Sequence, residues 1–507
     1  MPSAARDGET FLGLDIGTSS IKALLVDADQ RVVAEVSVPL SLSRPHPLWS
    51  EQNPEDWVEG VEAAVAAVRR QASAPFAALA GIGLSGQMHG ATFLDAADAP
   101  LRPAILWNDG RSFAECAELE RRLPDFRRRA GNIAMPGFTA PKVLWVAAHE
   151  PDVFAKTARV LLPKDFVRLR LSGEAASDMS DASGTLWLDI AQRRWDDDLL
   201  AATGLTRAHM PALVEGSAVS AFLSPRVASA WGLEGRRVPI AGGAGDNAAS
   251  AVGVGAIDAG AGFVSLGTSG VVFSVTDRFV SLPERTLHAF CHALPGRWHG
   301  MAVMLSAASA LSWIAGALGR AGDIGACIEA AEAFARSREA AAAAPIFLPY
   351  LSGERTPYND AEATGMFAGL RAEHGADALV YAALEGVAFA FADGVDVLAE
   401  AGALPKVSML VGGGARSAYW GQMIADVTGL TIDLAAGAEA GAALGAARLA
   451  MLAAGAGDEK AICARPPIQR QFVPDEGRAS LHAPRQRRFR ALYAAEKAVR
   501  SADDGGK

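Results

Sequence analysis

The sequence has few cysteines, no long apolar run and no amino-terminal stretch of basic residues followed by an apolar core. Each of these absences argues against one class of protein. Its four cysteines are scattered and form no Cys-x-x-Cys pair, which argues against a disulfide scaffold and indicates a reducing compartment. No run of about 18 uncharged apolar residues occurs, so no membrane span is expected. The first ten residues carry Arg6, Asp7 and Glu9 and lack an apolar core, so no signal peptide is expected. We therefore expect a cytoplasmic protein.

An excess of basic charge is also absent. The chain has 47 basic and 57 acidic residues, a net charge of −10, which argues against general binding to nucleic acid or to an anionic membrane. The composition is that of a soluble globular protein, with 50% hydrophobic residues and 52 glycines. At 507 residues the chain is expected to form more than one domain.

The most informative stretch, residues 239–270, reads PIAGGAGDNAASAVGVGAIDAGAGFVSLGTSG. Gly242, Gly243 and Gly245 precede a single carboxylate, Asp246. Glycines permit a tight turn and a close approach by a ligand, and a carboxylate at such a turn can take a proton from a bound hydroxyl. The alternative is that Asp246 only caps the helix that follows.

A short segment of the first half recurs in the second. Residues 265–270 (SLGTSG) repeat residues 15–20 (DIGTSS) at an offset of 250 residues, and each lies between two apolar stretches typical of strands. A segment that occurs once per half predicts two related domains that face each other. Taken singly, either turn is also explained as an ordinary hairpin.

Each repeated turn offers backbone N–H groups and two hydroxyls, which are donors that hold phosphate oxygens. Two such turns beside one cleft would hold a polyphosphate from both sides. An acidic residue facing phosphate requires a cation between them, so Asp15 is predicted to be a Mg²⁺ partner; the alternative is a turn-forming aspartate. The predicted nucleotide contacts of the turns are Gly17, Thr18, Ser19, Gly267 and Thr268.

Polar groups follow two further predicted strands of the first half, where ligands bind in α/β proteins. Gln87, Met88 and His89 stand between glycines after residues 80–84, and are a candidate substrate wall. Trp107, Asn108 and Asp109 follow residues 103–106 and offer an indole face, an amide and a carboxylate, a set common in carbohydrate sites. The alternatives are that His89 has only a structural role and that Trp107, Asn108 and Asp109 belong to an ordinary turn.

In the second half, a predicted strand at residues 407–411 leads into Gly412-Gly413-Gly414, with Ser417 close behind. Bare backbone at a strand end suits an adenine or ribose. We also expect a helix over residues 301–317, a long core helix over 376–399 and a loop over 177–185.

With these residues assembled, the sequence resembles the FGGY family of carbohydrate kinases from about Phe11 to Tyr493. The resemblance rests on RPHPLWSEQ (44–52), GQMHGAT (86–92), LRPAILWNDGR (101–111), MPGFTAPK (135–142), LLPKD (161–165), SDMSDASGT (177–185), GDNAA (245–249), FLPYLSGERTP (347–357) and GGGARS (412–417). It implies an α/β fold of two domains, actin/hexokinase-like (ribonuclease H-like), with a central cleft. We expect residues 1–252 to form the sugar-binding side and residues 253–507 the nucleotide-binding side.

The resemblance also implies roles for single residues. Asp246 matches the catalytic base and Asp15 the acidic residue of the first phosphate turn, with ATP as co-substrate and Mg²⁺ as the metal. The implied substrate is a ketopentose, D-xylulose first; ribulose, fuculose, glycerol or a non-catalytic sugar sensor are the alternatives. A homodimer is implied as well. The expected sugar contacts are Gln87, Met88, His89, Trp107, Asn108, Asp109 and Asn247, and the expected nucleotide-side contacts include Gly413, Gly414 and Ser417.

Overall fold

The computed structural model describes residues 8–435 and 441–504, which fold into two α/β halves, each built on a seven-stranded sheet. The strands of the first half are β1 (Thr10–Ile16), β2 (Ser20–Asp27), β3 (Val32–Pro39), β4 (Glu51–Gln52), β5 (Leu79–Gly86), β6 (Thr92–Leu94), β7 (Ala104–Ile105), β8 (Arg159–Leu161), β9 (Ala176–Asp178), β10 (Leu188–Asp189), β11 (Arg194–Trp195), β12 (Ala212–Val214), β13 (Val219–Phe222), β14 (Pro239–Ala241) and β15 (Ala244–Gly245). Its helices are α1 (Pro54–Gln71), α2 (Ser73–Ala77), α3 (Phe113–Arg122), α4 (Phe126–Ala130), α5 (Thr139–His149), α6 (Pro151–Lys156), α7 (Pro163–Ser172), α8 (Met179–Ser183), α9 (Asp197–Ala202), α10 (Pro225–Ala230) and α11 (Asp246–Gly253).

The second half has fewer strands and longer helices. Its strands are β16 (Ala261–Leu266), β17 (Gly270–Thr276), β18 (His288–Cys291), β19 (Trp298–Met304), β20 (Ile346–Leu348), β21 (Met366–Ala368), β22 (Val407–Val411), β23 (Ile432–Ala435) and β24 (Ile468–Phe472). Its helices are α12 (Ala308–Ala317), α13 (Ile324–Ala335), α14 (Arg338–Ala343), α15 (Ala376–Glu400), α16 (Ala418–Thr428), α17 (Gly441–Ala453), α18 (Glu459–Ile462) and α19 (Glu476–Asp504).

The repeated segment is the same hairpin in both sheets. The first sheet runs β13-β14-β5-β1-β2-β3, with β15 beside β5, and the second runs β18-β19-β17-β16-β22-β23-β24. In each, the hairpin around Gly-Thr-Ser pairs antiparallel, and its first strand lies parallel to a later strand: β1 to β5 and β16 to β22. The predicted internal repeat is therefore a repeat of topology, and the two-domain α/β architecture is confirmed.

Helices α11 and α17 connect the halves at backbone contact distance. A Cβ on Gly13 of β1 would lie 2.0 Å from the carbonyl oxygen of Ala443 in α17, and one on Gly83 of β5 would lie 1.8 Å from that of Ala446. Where α17 meets α11, a Cβ on Gly445 would lie 1.8 Å from the Ala249 oxygen. Only glycine permits these approaches. A helix of the second half thus covers the sheet of the first.

The long helix α15 matches the predicted core helix. It carries apolar side chains around most of its circumference because the second half packs on it from several sides. Among the described residues it is the one helix of sufficient length and mean hydropathy (1.5) to cross a membrane, and 94% of that apolar window is buried inside the fold.

Two expectations about local structure are wrong. Residues 301–304 belong to strand β19, and the helix begins only at Ala308; an apolar run alone does not separate a buried strand from a helix. Residues 177–185 are not a loop: they form the end of β9 and helix α8, and most of their side chains are buried. Their polar groups are matched by buried cations, described below.

Candidate active site

Asp246 is delivered by a turn that requires its glycines. Gly243 has φ +77°, and a Cβ there would lie 2.2 Å from the carbonyl oxygen of Leu84. A Cβ on Gly245 would lie 2.8 Å from the Met88 side chain. Gly245 is the cap of α11, and Asp246 is the first helical residue. The alternative that Asp246 is the cap is therefore wrong.

The Asp246 carboxylate accepts hydrogen bonds from its neighbour Asn247. The Asn247 backbone N–H donates at 2.7 Å and its Nδ2 at 3.0 Å. Burial, together with the charge of Asp15, raises the pKa of Asp246 to about 7, against the lowering effect of the two bonds from Asn247. The carboxylate is thus divided between its acid and base forms near neutral pH.

Asp15 lies at the end of β1, beside the Asp246 turn. It is opposite Ser85 of β5, whose hydroxyl donates to Asp15 Oδ1 at 3.0 Å, and Ser85 is also opposite Ala244 of β15. Burial raises the pKa of Asp15, although the Ser85 hydroxyl and Lys22 act to lower it. Because β1 and β15 both lie parallel to β5, the two carboxylates come together at the carboxyl ends of these strands.

A cavity of about 200 Å³ lies between the halves and contains Asp246. The first half contributes four of the predicted substrate residues to its lining, Met88, His89, Trp107 and Asn247, together with the predicted base Asp246. The structure adds residues that the sequence did not single out: Met135, Gly137, Phe138, Ser269, Val271, His288, Phe290, Met301, Val303, Leu305 and Arg355. The cavity is therefore a largely apolar pocket with a few polar groups, as is usual for small-molecule sites.

The His89 ring is fixed in one tautomer. Its Nδ1 lies 2.9 Å from the carbonyl oxygen of Gly184, which can only accept, so Nδ1 carries the proton and Nε2 is a hydrogen-bond acceptor. Burial, aided by the Lys142 charge, lowers the pKa of His89 to about 3. His89 has φ +69°, a conformation that is uncommon outside glycine and that is found at functional sites.

Three predicted substrate residues stand behind the cavity wall rather than in it. Gln87 is buried and bonded: Nε2 donates to Gln52 at 2.9 Å, and Oε1 accepts from the Thr18 hydroxyl at 3.0 Å. Asp109 accepts from the Ser50 N–H at 2.6 Å and pairs with Arg111. Asn108 is not among the lining residues either. Gln87 and Asp109 have no oxygen free for a sugar, because local partners occupy them.

Thr18 connects the first turn to this wall. Its hydroxyl accepts from the Trp107 indole N–H at 2.9 Å and donates to Gln87. The Gly17 N–H closes the hairpin onto the Ser20 carbonyl oxygen at 3.0 Å, and Ser19 is exposed at the tip. The first turn therefore holds the pocket wall and leaves its tip open to the cleft.

A second cavity, of about 370 Å³, lies beside the Gly-rich loop of the second half. Its described lining includes Gly412, Gly413 and Arg416 from that loop, Ser265 from the end of β16 and Ser250 from α11. Gly414 packs against Leu266, and the Ser417 hydroxyl caps α16 by accepting from the Trp420 N–H at 3.1 Å. Carbonyl oxygens of Gly267 and Thr268 accept from the start of α12.

A buried ionic cluster, missed from the sequence, supports the Asp246 turn. Lys164 Nζ contacts Asp165 at 2.5 Å, Asp178 at 2.8 Å and Asp181 at 3.1 Å, and all four side chains are inaccessible to solvent. Burial alone would lower the pKa of Lys164, but the three carboxylates raise it above its usual value. Burial likewise raises the pKa of Asp181. A protonated Asp181 would bring the cluster, with Arg168, close to neutrality.

Two hydrogen bonds connect this buried ionic cluster to the backbone that precedes Asp246. Arg168, which pairs with Asp165 at 3.0 Å, donates to the Gly242 carbonyl oxygen. Ser180, next to Asp181, accepts from the Gly245 N–H at 3.2 Å. The sequence signal was the pair of segments LLPKD and SDMSD, whose polar residues match each other across the fold.

Comparisons with known proteins agree with this geometry. Residues 10–253 match the model of the N-terminal domain of the FGGY family of carbohydrate kinases, and residues 262–454 match that of its C-terminal domain. The chain is 51% identical to the xylulose kinase of Escherichia coli (strain K12) over 487 residues, covering 95% of this chain and 98% of that one.

Solved structures give the same result. A xyloylose kinase from Brucella ovis is 49% identical and superposes with a TM-score of 0.92, covering 97% of this chain and all of that one (100%). The xylulose kinase of Rhodospirillum rubrum is 31% identical with a TM-score of 0.87, covering 97% and 99%. The chain therefore belongs to the FGGY family of carbohydrate kinases, and it is an ATP-dependent sugar kinase.

Proposed function

We propose that this kinase transfers the γ-phosphoryl group of ATP to D-xylulose, giving D-xylulose 5-phosphate and ADP, a step in the use of xylose. The observation that carries the proposal is Asp246: one carboxylate with a pKa of about 7, held by a glycine turn in a sugar-sized cavity between the halves. The substrate follows from the relatives, of which the E. coli enzyme, a xylulose kinase, is 51% identical over nearly the whole chain.

Asp246 acts as the general base in this proposal. A primary hydroxyl is a poor nucleophile. A positioned carboxylate whose pKa lies near the working pH is suited to take the hydroxyl proton as the new P–O bond forms. The bonds from Asn247 fix the carboxylate orientation. The glycine turn is held in turn by Arg168 and Ser180. The rest of the chemistry is positioning and charge stabilisation, as in other phosphoryl transfers.

Asp15 and Asp246 fit a Mg²⁺ ion that arrives with ATP. The two carboxylates are close enough for the charge of Asp15 to raise the pKa of Asp246. The described residues contain no cluster of three or more metal-binding side chains, and Mg²⁺ is usually held by one or two carboxylates with phosphate oxygens and water. Asp15 is the proposed protein ligand. When bound, the ion would neutralise charge on the transferring phosphoryl group.

The proposed nucleotide site is the second cavity. Its Gly412-Gly413 backbone is bare, and Ser265 at the end of β16 offers a hydroxyl. The proposed contacts are Gly413 and, for the phosphates, the turn residues Thr18, Ser19, Gly267 and Thr268. Thr18 would contribute through its backbone, because its hydroxyl bonds Trp107 and Gln87, and Gly17 is proposed as a support of the turn, because its N–H closes the hairpin. Gly414 and Ser417 are proposed only as supports of this loop, because they pack against Leu266 and cap α16.

The proposed division at residues 252 and 253 falls in the last turn of α11. Because α17 crosses back to the first sheet, α11 and α17 would form the axis about which the halves close on both substrates. Closure would exclude water and suppress hydrolysis of ATP. A homodimer and a cytoplasmic location stay predictions.

The substrate is tested by the initial rate of ADP release with Mg-ATP across D-xylulose, L-xylulose, D- and L-ribulose, L-fuculose, glycerol and no sugar. We expect a strong preference for D-xylulose over every other condition. A preference for another sugar would replace the substrate and keep the class of reaction. Equal rates across the panel and the blank would contradict the proposal.

The role of Asp246 is tested by Asp246→Asn. Loss of a general base costs about 10²–10⁴-fold in kcat, and the overall fold should survive because the side chain keeps its size. The matched control is Asp258→Asn, an exposed aspartate beyond the same helix, which should leave kcat unchanged. An Asp246→Asn variant with near-normal turnover would remove Asp246 from the mechanism.

A further inference from the structure

The second half contributes three polar side chains to the sugar cavity, those of Ser269, His288 and Arg355, and none has an assigned role. His288, at the start of β18, and Arg355 both line it, together with apolar side chains of the same half. We infer that His288 and Arg355 recognise the carbonyl end of the sugar, so that the kinase selects a ketose over the corresponding polyol. The inference rests on the proposed function and names the chemical feature by which its substrate is chosen.

The His288 ring is fixed in one tautomer by Asn132. Asn132 Nδ2 donates to the carbonyl oxygens of Ala289 at 2.9 Å and Ala130 at 3.1 Å, so its Oδ1 must face the other way, where it accepts from the Ala289 N–H at 3.2 Å. His288 Nδ1 lies 3.1 Å from the same Oδ1 and therefore carries the proton. Nε2 is left as an acceptor.

That acceptor is buried and unmatched. His288 Nε2 has no hydrogen-bond partner within the described residues. Burial, with the nearby charge of Arg355, keeps the pKa of His288 well below its usual value, so the ring stays neutral. A buried polar atom without a partner is rare and requires an explanation. A substrate hydroxyl that donates to Nε2 would supply it.

Arg355 is held rigidly at its backbone and is unpaired at its side chain. Its carbonyl oxygen accepts from the Thr286 hydroxyl at 2.8 Å, and the next residue, Thr356, exchanges bonds of 3.0 Å with Val303. Within the described chain, the guanidinium makes no hydrogen bond or ion pair, while it lowers the pKa values of both His89 and His288. It therefore lies near both rings.

The neighbouring acid does not neutralise Arg355. Glu354 Oε1 accepts from the backbone N–H groups of Leu305 at 2.9 Å and Arg355 at 2.7 Å, so it serves the main chain. Burial raises the pKa of Glu354 to about 8, which leaves it mostly neutral at pH 7. The cavity thus contains a guanidinium with free donors, and arginine has no acceptor.

These donors and acceptors fit a ketone beside a hydroxyl. A carbonyl oxygen only accepts, which matches Arg355. The buried Nε2 of His288 requires a hydroxyl donor, and the Nε2 of His89 can accept from another. In a polyol the carbonyl becomes a hydroxyl whose own proton needs a further acceptor. With both histidines occupied, that proton must compete for the oxygens of Asp246, Asn247 or Ser269, which also line the cavity. A site built to bond one group rejects an analogue that leaves a group poorly paired.

The test compares a ketose with its reduced form in three variants. Arg355→Met removes the donors, Arg355→Lys keeps the charge, and His288→Phe removes the acceptor but keeps a ring. The matched control is Arg285→Met, which makes the same chemical change at a surface arginine paired with Glu400. For each protein we would measure kcat/KM for D-xylulose and for xylitol, the KM for ATP and the melting temperature. Where xylitol is not phosphorylated, its inhibition constant against D-xylulose replaces kcat/KM.

We expect Arg355→Met and His288→Phe to lower kcat/KM for D-xylulose by about 10–100-fold. In Arg355→Met the xylitol value should change little, so that the preference for the ketose collapses. In His288→Phe both values should fall, because its Nε2 accepts from a hydroxyl that both sugars carry. Arg355→Lys should recover part of the loss, and the KM for ATP should not move. Equal losses for both sugars in Arg355→Met, or a loss confined to the KM for ATP in either variant, would overturn the inference. If the wild type prefers another ketose, the proposed substrate fails, and the same ratio with that ketose and its polyol still tests His288 and Arg355.

Discussion

The two copies of the Gly-Thr-Ser hairpin share a backbone and differ in one side chain that decides their chemistry. The last residue but one of the first strand is Asp15 in one copy and Ser265 in the other, at equivalent positions of the two sheets. Asp15 is opposite Ser85, which donates to it, whereas Ser265 is opposite the apolar Val411. A duplicated scaffold has thus acquired an acidic end near the proposed base and an uncharged end in the proposed nucleotide cavity.

The turns also differ in what their threonines do. The Thr18 hydroxyl bonds Trp107 and Gln87 of the sugar-pocket wall, while the Thr268 carbonyl oxygen accepts from Ala307 and Ser309 at the start of α12. The first copy therefore supports the wall of the sugar pocket, and the second copy supports the start of α12. Equivalent residues in a repeat need not have equivalent roles.

The largest effect is expected when the first copy is made like the second. Asp15→Ser removes the proposed Mg²⁺ ligand, and loss of a group that stabilises transition-state charge costs about 10²–10³-fold. The measurement is kcat/KM for D-xylulose at saturating Mg-ATP. Asp29→Ser, at an exposed aspartate after the same hairpin, should be silent. A fully active Asp15→Ser variant would show that the acid is a turn-forming residue only.

A smaller effect is expected from the reverse exchange. Ser265→Asp places a carboxylate in the cavity proposed for ATP, and repulsion from the phosphates should raise the KM for ATP by about 10–100-fold. The KM for the sugar should stay within about threefold of the wild-type value, since that cavity is separate. Ser265→Asn has the same size without the charge and is the control. Similar KM values for the two variants would show that the effect is steric.

The smallest effect, a shift in a pH profile, connects the two carboxylates. Because Asp246 must be ionised to act as a base and its pKa is about 7, kcat/KM should rise with pH through about 7. Asp15→Asn removes the negative charge that helps to raise this pKa, so in the enzyme without Mg²⁺ the Asp246 carboxyl should titrate with its midpoint at lower pH. An unshifted midpoint in Asp15→Asn would show that burial alone sets the pKa of Asp246.

The same raised pKa has a consequence for stability, whose sign is fixed. An acid with a folded pKa of about 7 and an unfolded pKa near 3.8 favours the folded state in its protonated form. That contribution is complete below the unfolded pKa and is lost as pH rises through about 7. Asp246→Asn should therefore melt a few degrees above the wild type at pH 8 and level with it near pH 3. This comparison is an independent check on the pH profile.

The sequence predicted the features that depend on local pattern. The Gly-Thr-Ser repeat gave both hairpins and the relation between the halves, and the glycines before Asp246 predicted the turn that presents it. Met88, His89 and Trp107 were found because each follows the carboxyl end of a predicted strand, where ligands bind in α/β proteins: β5 for Met88 and His89, and β7 for Trp107.

What the sequence did not predict depends on contacts between distant residues. The Asp109 carboxylate is a group that often binds sugars, but here its oxygens bond the Ser50 N–H and the Arg111 guanidinium. His288 and Arg355 line the cavity from the second half. No local sequence pattern predicts which side chains of the second half face the first half. The polar composition of residues 177–185 is typical of a loop. Their burial is explained only by Lys164, a residue distant in sequence that pairs with Asp178 and Asp181.

The packing of α17 has a consequence for how the chain can be made. One apolar core joins Phe11, Leu24 and Val26 of the first sheet to Ala443 and Ala447 of α17, more than 400 positions later. During synthesis on the ribosome, the amino-terminal part must therefore wait, with this face of its sheet uncovered, until nearly nine-tenths of the polypeptide has emerged. Chaperone dependence of the nascent chain, and insolubility of a fragment that ends near residue 252, are what such late completion entails.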